Sequence, residues 1–137
     1  MNWNFFQLVR DAGLEIVPID RAPTSPGFYF LFADQGEFIY VGKADDLHDR
    51  LGRHFGDDEE NNRIKGIAKY AIWQTTQTVT QAEDAEGYLY DSWVRSTGTP
   101  PFANRNKPPK SKLTDDQILV AKLKQIMSEY STLARRQ

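Results

Sequence analysis

Hydrophobic positions along the 137-residue chain change their spacing several times, and each change marks an element. In Asn4-Phe5-Phe6-Gln7-Leu8-Val9-Arg10-Asp11-Ala12 the large apolar residues fall on one side of a helix over about 4–12. An irregular link follows as far as Pro26, interrupted by Pro18 and Pro23. Two runs rich in aromatic and β-branched residues come next, Phe28 to Ala33 and Phe38 to Val41, joined by the turn-like Asp34-Gln35-Gly36-Glu37. Apolar and polar residues alternate poorly there, so the runs predict a buried hairpin. A short helical pattern covers Leu47 to Phe55, then a polar loop Asp57 to Asn62, with a further short helix expected over Asn61 to Ala68. Ala71, Ile72, Trp73 and the threonines after them predict a third strand over Tyr70 to Val79.

The second half of the chain reads as helical. Thr80-Gln81-Ala82-Glu83 has the form of a capping box, opening a helix to about Arg95 that Gly98 and Pro100-Pro101 stop. Asn104 to Lys112 is a Pro/Lys loop. Thr114-Asp115-Asp116-Gln117 resembles a second capping box, and Ile118, Leu119, Ala121, Leu123, Ile126 and Tyr130 give a terminal helix to about Leu133. No internal repeat is present.

Composition narrows the class. With 39% hydrophobic and 12% aromatic residues, a single domain over 1–137 can build its own core. There is no cysteine, which excludes disulfides and Cys-ligated zinc, and two histidines make a His-based zinc site improbable. No apolar run approaches a membrane span, and the first residues lack the basic segment of a signal peptide, so a cytoplasmic protein without membrane contact is expected. A formal charge of −2 gives no global attraction to nucleic acid. Charge is uneven, however: Asp57-Asp58-Glu59-Glu60 is acidic, whereas Arg105, Lys107, Lys110 and Lys112 cluster later. Either cluster reads equally well as a solvated loop.

The candidate chemistry lies between Pro26 and Phe55. Tyr29, Tyr40, Lys43, Arg50 and His54 converge on one end of the hairpin and the helix after it. Each has a duller reading alone: the tyrosines as packed strand aromatics, Arg50 as a solvated helix residue, His54 as a satisfied histidine. Together they suit a phosphate ester, because a guanidinium matches two phosphate oxygens and a tyrosine or histidine can handle a proton.

The motifs Gly27-Phe28-Tyr29 and Tyr40-Val41-Gly42, with Arg50 and then His54 downstream, resemble the GIY-YIG nucleases over roughly Pro26 to Asn104. That family includes the incision subunit of bacterial nucleotide-excision repair, homing and restriction endonucleases, and small stand-alone proteins. The resemblance implies an α/β (α+β) fold, a small three-stranded antiparallel sheet flanked by helices. It leaves an N-terminal segment of about 1–25 and a C-terminal helix of about 114–133, too short for a second domain. It also implies a metal-dependent endonuclease acting on DNA, with one divalent metal, magnesium or manganese. Tyr29 would activate or orient the water beside Tyr40. Arg50, with Lys43 and the Gly42 backbone nearby, would hold the phosphate, and His54 would share the proton work.

Asn104 matches the family's asparagine, with Ala103 inserted after the aromatic, and would act as a polar clamp; its alternative is an ordinary loop residue. Substrate contacts would come from Arg105, Lys107, Lys110 and Lys112, from the terminal helix, or from a protein partner supplying specificity. The family's metal carboxylate falls on one of two residues. Spacing back from Pro100 favours Asp91, whereas helical phase with Ala82, Leu89 and Trp93, and residue type, favour Glu86. The second reading of the whole chain is a catalytically inactive module of the same fold that binds nucleic acid or a protein.

Overall fold

The computed structural model describes residues 3–108 and 131–135. Helix α1 (Phe5–Ala12) is capped by Asn4, whose side chain accepts from the amides of Phe6 and Gln7, and ends at Gly13 in the left-handed region. Strand β1 (Ile16–Pro18) and a 3-10 turn (Ile19–Arg21) lead into strand β2 (Gly27–Ala33). Strand β3 (Phe38–Ala44), helix α2 (Leu47–His54), strand β4 (Ala68–Thr75) and helix α3 (Val79–Thr97) follow, and strand β5 (Ser131–Ala134) closes the described chain.

The centre is the expected antiparallel three-stranded sheet, with β2 between β3 and β4. Among the described residues it grows to five strands in the order β1-β5-β4-β2-β3, with β5 antiparallel to β4 and β1 parallel to β5. Neither added strand was expected from the sequence. Residues 16–18 fall in the proline-broken link, and residues 131–133 were assigned to the terminal helix; those three pair as strand instead. The rest of that expected helix lies outside the described residues.

Every residue of β2 is buried because both faces of the sheet are covered. Phe28, Phe30 and Phe32 enter one core with Trp3 and Phe5 ahead of and within α1, and with Tyr88, Leu89 and Tyr90 of α3. Tyr29, Leu31 and Ala33 enter the other with Leu47, Leu51 and Phe55, at and just beyond α2, and with Ile64. A strand between two cores needs no polar face, which accounts for the missing alternation. An irregularity in the β2–β3 register, where Phe32 opposes Phe38 while Leu31 opposes Tyr40, makes Ile39 the extra residue.

Three local expectations shift, the first being the third strand, which runs Ala68–Thr75 rather than Tyr70 to Val79. Residues 62–67 form consecutive turns rather than a helix, with the Ile64 and Lys65 amides both on the Asn61 carbonyl. Helix α3 starts earlier than expected: Thr78 is the N-cap, its hydroxyl taking the Gln81 amide at 3.2 Å, and Gln81 reaches back to the Gln77 amide at 2.9 Å. The cap is therefore Thr78, two residues ahead of Thr80, with Gln81 bonding the residue before the cap, which leaves Glu83 free for another partner. Gly98 ends the helix with a left-handed φ of 80°, as its position implied.

Phe5 is fully buried, with its ring centroid 4.5 Å from that of Tyr70 and 5.4 Å from that of Phe32. Phe5→Ala should lower unfolding free energy by about 3–5 kcal/mol, read by chemical denaturation. A loss under about 1 kcal/mol would mean that α1 does not seal this face.

Candidate functional site

The candidate site wraps around β3, the edge strand of the sheet. Tyr29 of β2 pairs in register with Gly42 of β3, and Tyr40 follows the same face. The two tyrosine rings lie 6.1 Å apart, and each lies within 5.4 Å of the His54 imidazole. Gly42 permits this approach: a Cβ there would come within 2.5 Å of Tyr29 Cζ and 2.7 Å of Tyr40 Cε2. Gly27 is constrained likewise, since its Cβ would meet Leu47 Cδ1 at 2.5 Å and the Gln74 carbonyl carbon at 3.1 Å. Each motif glycine therefore has a steric cause.

Helix α2 supplies the next groups. Asp46 caps it by accepting the Asp49 amide at 3.0 Å, which fixes where the helix starts and so the phase of Arg50 and His54. Arg50 is exposed, with Nη1 on the Lys43 carbonyl at a long 3.4 Å. His54 is buried and bridges two partners: Nε2 lies 2.6 Å from the Tyr29 hydroxyl and Nδ1 lies 2.5 Å from Glu59 Oε2.

The other face of the edge strand brings α3 into reach. Lys43, opposite Phe28, pairs with Glu83 of α3. Glu86, one turn along, is buried, and its carboxyl pKa is pushed to about 7 by burial, opposed by Lys43 and Arg50 and assisted by Glu83. The Glu86 charge is felt by both tyrosines, so it belongs to the same cluster. Burial raises Tyr29 well above the usual phenol value, helped by Tyr40 and Glu86 and countered by Arg50. Tyr40 is raised in the same way, by burial first and Glu86 next. Burial also lowers His54, against the pull of Glu59. Asp91, half-buried, acts on Tyr90, whose pKa burial raises first, and not on the two motif tyrosines. Five helical residues from Glu86, it points well away from that face.

Asn104 is held against the strand. Its Oδ1 accepts the Val41 amide at 3.1 Å and its Nδ2 donates to the Val41 carbonyl at 2.9 Å, as a neighbouring strand would. The Ala103 amide adds a bond to the Ile39 carbonyl at 2.8 Å. The amide of Asn104 is thus spent on backbone, next to Gly42. Arg105 and Lys107 are exposed, Arg105 reaching Asn62 Oδ1 at 2.7 Å; Lys110 and Lys112 lie outside the described residues.

The sequence reading did not single out Glu59 or Glu83. Glu59 stands inside an acidic run that reads as solvent-facing, and Glu83 fitted a capping box that the fold does not use. No local signal marked either one: Lys43 lies 40 residues from Glu83, and Glu59, though only five residues after His54, meets it through the turn of its loop. Among the described residues, no three or more His, Cys, Asp or Glu side chains gather as a metal cage, and no helix is long and apolar enough to cross a membrane.

The family model of the UvrC-like GIY-YIG domain matches residues 25–102. The UvrABC system protein C of Chlamydia caviae is 36% identical over 73 residues, covering 51% of this chain and 11% of that protein. The protein of the same name from Agrobacterium fabrum is 34% identical over 67 residues, covering 47% and 10%. The chain therefore spans about a tenth of the length of these curated relatives. Among solved structures, the GIY-YIG N-terminal endonuclease domain of UvrC from Thermotoga maritima, bound to magnesium as its catalytic divalent cation, is 28% identical with a TM-score of 0.49, covering 63% of this chain and 90% of that one.

The Glu86 pKa sets a stability test. In the folded chain the carboxyl keeps its proton up to about pH 7, against 4.5 ordinarily, so its contribution is complete below pH 4.5 and is lost as pH rises through 7. Glu86→Gln, which cannot ionise, should exceed the unaltered chain in stability by roughly 2 kcal/mol at pH 8, the gap closing toward pH 4. Denaturation midpoints across that range check it, and a gap independent of pH would remove the buried charge.

Proposed function

The chain belongs to the UvrC-like GIY-YIG domain family, and on that premise we propose that it is a metal-dependent endonuclease that hydrolyses phosphodiester bonds in DNA. What supports the reading most is one convergence: Tyr29, Tyr40, Arg50, His54 and a buried Glu86, from two strands and two helices, around the end of one edge strand. A purely structural cluster has no need of a carboxylate held half-protonated at neutral pH beside an exposed guanidinium.

The donor chemistry at Glu86 fits a divalent ion. A buried carboxylate carries a desolvation cost that a cation would offset, and a lone hard-oxygen ligand completed by water suits magnesium, with manganese as substitute. When bound there, the ion supplies positive charge for the phosphate and leaving oxygens. Binding needs the ionised carboxylate, so affinity should rise with pH through about 7. Asp91, acting on Tyr90, is not placed in this role.

Arg50, exposed and tethered to the Lys43 carbonyl, has its guanidinium available for two non-bridging oxygens. Lys43 is paired with Glu83 and enters as charge that favours ionised Glu86, not as a free phosphate ligand. Tyr29 is the group next to the attacking water. Its phenol is neutral at pH 7 and needs a base, for which His54 Nε2 at 2.6 Å is in place. Asn104 holds the strand at Val41 so that Gly42 and Tyr40 keep their positions. Arg105 and Lys107, with Lys110 and Lys112, would follow the DNA backbone, and a protein partner would add specificity.

Incubating the chain with single-stranded, duplex and branched DNA plus magnesium or manganese tests the reading directly; absence of cleavage on all of them would leave a binding module. Arg50→Ala should reduce cleavage by roughly 10²-fold or more without unfolding the chain, and Arg50→Lys should recover little, because an ammonium lacks the planar fork. Near-normal turnover in folded Arg50→Ala would take Arg50 out of the site. Separately, Glu86→Gln should abolish magnesium-dependent cleavage while Asp91→Asn keeps it; the reverse pattern would move the metal to Asp91.

A further inference from the structure

Glu59 belongs to an acidic run, yet its carboxylate turns inward. Its side chain is 11% exposed, and both oxygens are occupied. Oε2 faces His54 Nδ1 at 2.5 Å, and Oε1 accepts the Asn61 amide at 2.9 Å. Asn61 donates its own Nδ2 to the Ala103 carbonyl at 3.0 Å, and Arg63 Nη1 donates to the Phe102 carbonyl at 3.0 Å. The carboxylate is therefore fixed by the loop that carries it and by the segment that clamps β3.

A neutral imidazole has one donor and one acceptor nitrogen, and an ionised carboxylate can only accept. Beside Glu59, a neutral His54 must then carry its proton on Nδ1, which leaves the Nε2 lone pair facing the Tyr29 hydroxyl. We propose that Glu59 is a positioning residue that sets this tautomer, making Tyr29, His54 and Glu59 a proton relay. The proposal rests on the nuclease reading and deepens it. In the step, the Tyr29 hydroxyl proton passes to His54 Nε2, and the phenolate takes a proton from water as the water oxygen bonds to phosphorus. The bond from phosphorus to the leaving oxygen breaks. The proton later released by the His54 imidazolium balances the one taken up by the leaving alkoxide.

The groups facing His54 are Tyr29 from β2, Tyr40 from β3, Arg50 on its own helix and Glu59 from the following loop. Burial above all, with Arg50, keeps the imidazole neutral at pH 7 and able to accept. Once it has accepted, it is a buried cation, and Glu59 is the countercharge within contact. Glu59 thus does two things: it points Nε2 at Tyr29 and it stabilises the charge that forms.

Nitrogen-15 correlation spectra of the labelled chain report the tautomer of each histidine, and His48→Gln assigns the remaining signals to His54. The expected result is a proton on Nδ1 at pH 7; a proton on Nε2 overturns the proposal. In Glu59→Gln the His54 pKa should fall further, because the attractive charge is gone. Its kcat for DNA cleavage should drop roughly 10–10²-fold with KM unchanged, and the acid limb of the pH profile should move to lower pH. A folded Glu59→Gln chain with normal kcat and an unmoved acid limb overturns the relay. Should that variant not fold, Glu59→Asp, which keeps the charge but withdraws it from Nδ1, should lower kcat in the same direction by less, a normal kcat overturning the relay, and the spectrum of the unaltered chain still decides the tautomer. A chain that cleaves no DNA would end the nuclease reading alone, since the tautomer is read without turnover.

Discussion

A phenol hydroxyl on a strand buried on both faces must find a hydrogen-bond partner, and Tyr29 finds His54 at 2.6 Å. Much of the site follows from that requirement. His54 reaches the hydroxyl because the Asp46 cap sets the start of α2, and because Leu47 and Leu51 seat that helix on the sheet. Its second nitrogen then needs a partner in turn, and Glu59 supplies it. Gly42 lets the two tyrosines close over the strand, where any side chain would collide with both.

The edge position of β3 is the second condition. An edge strand exposes unpaired backbone groups, which proteins cover or pair. Here residues 103 and 104 do so, with the Asn104 side chain standing in for a missing strand at Val41. Groups from both sheet faces act on one another around β3: Tyr29, Tyr40 and His54 from the α2 side, Lys43 and Glu86 from the α3 side. A central strand would have kept these two sets apart.

The charge pattern is arranged for opposed demands. Lys43 and Arg50 favour ionised Glu86, while burial and Glu83 disfavour it, and the carboxyl settles near neutrality. The same burial raises the tyrosines and lowers His54, so proton donor and acceptor are both uncharged where they meet. Such a balance costs stability in exchange for groups that change protonation near pH 7.

The amino-acid sequence by itself determined the elements with strong local signals: α1 from its apolar spacing, the hairpin from its aromatic runs, α2 from its short helical pattern, and the body of α3 with its stop at Gly98. It also placed the two tyrosines, Arg50 and His54 together, since all lie within 26 residues of chain. Helical phase preferred Glu86 over Asp91 because one turn of helix dictates which residue shares a face with Ala82, Leu89 and Trp93. What only the tertiary structure decided were pairings between distant segments. Strand β1 has three residues and a proline, and it exists only where β5 offers an edge. Glu83 looks like a capping acid until Lys43, 40 residues away, is brought beside it. Glu59 is only five residues from His54, and looks solvated until its loop turns the carboxylate inward. The start of α3 was expected at the Thr80 cap, and the fold uses Thr78 instead. Local pattern decides conformation, whereas the partner of a charged side chain is set by which surfaces the cores press together.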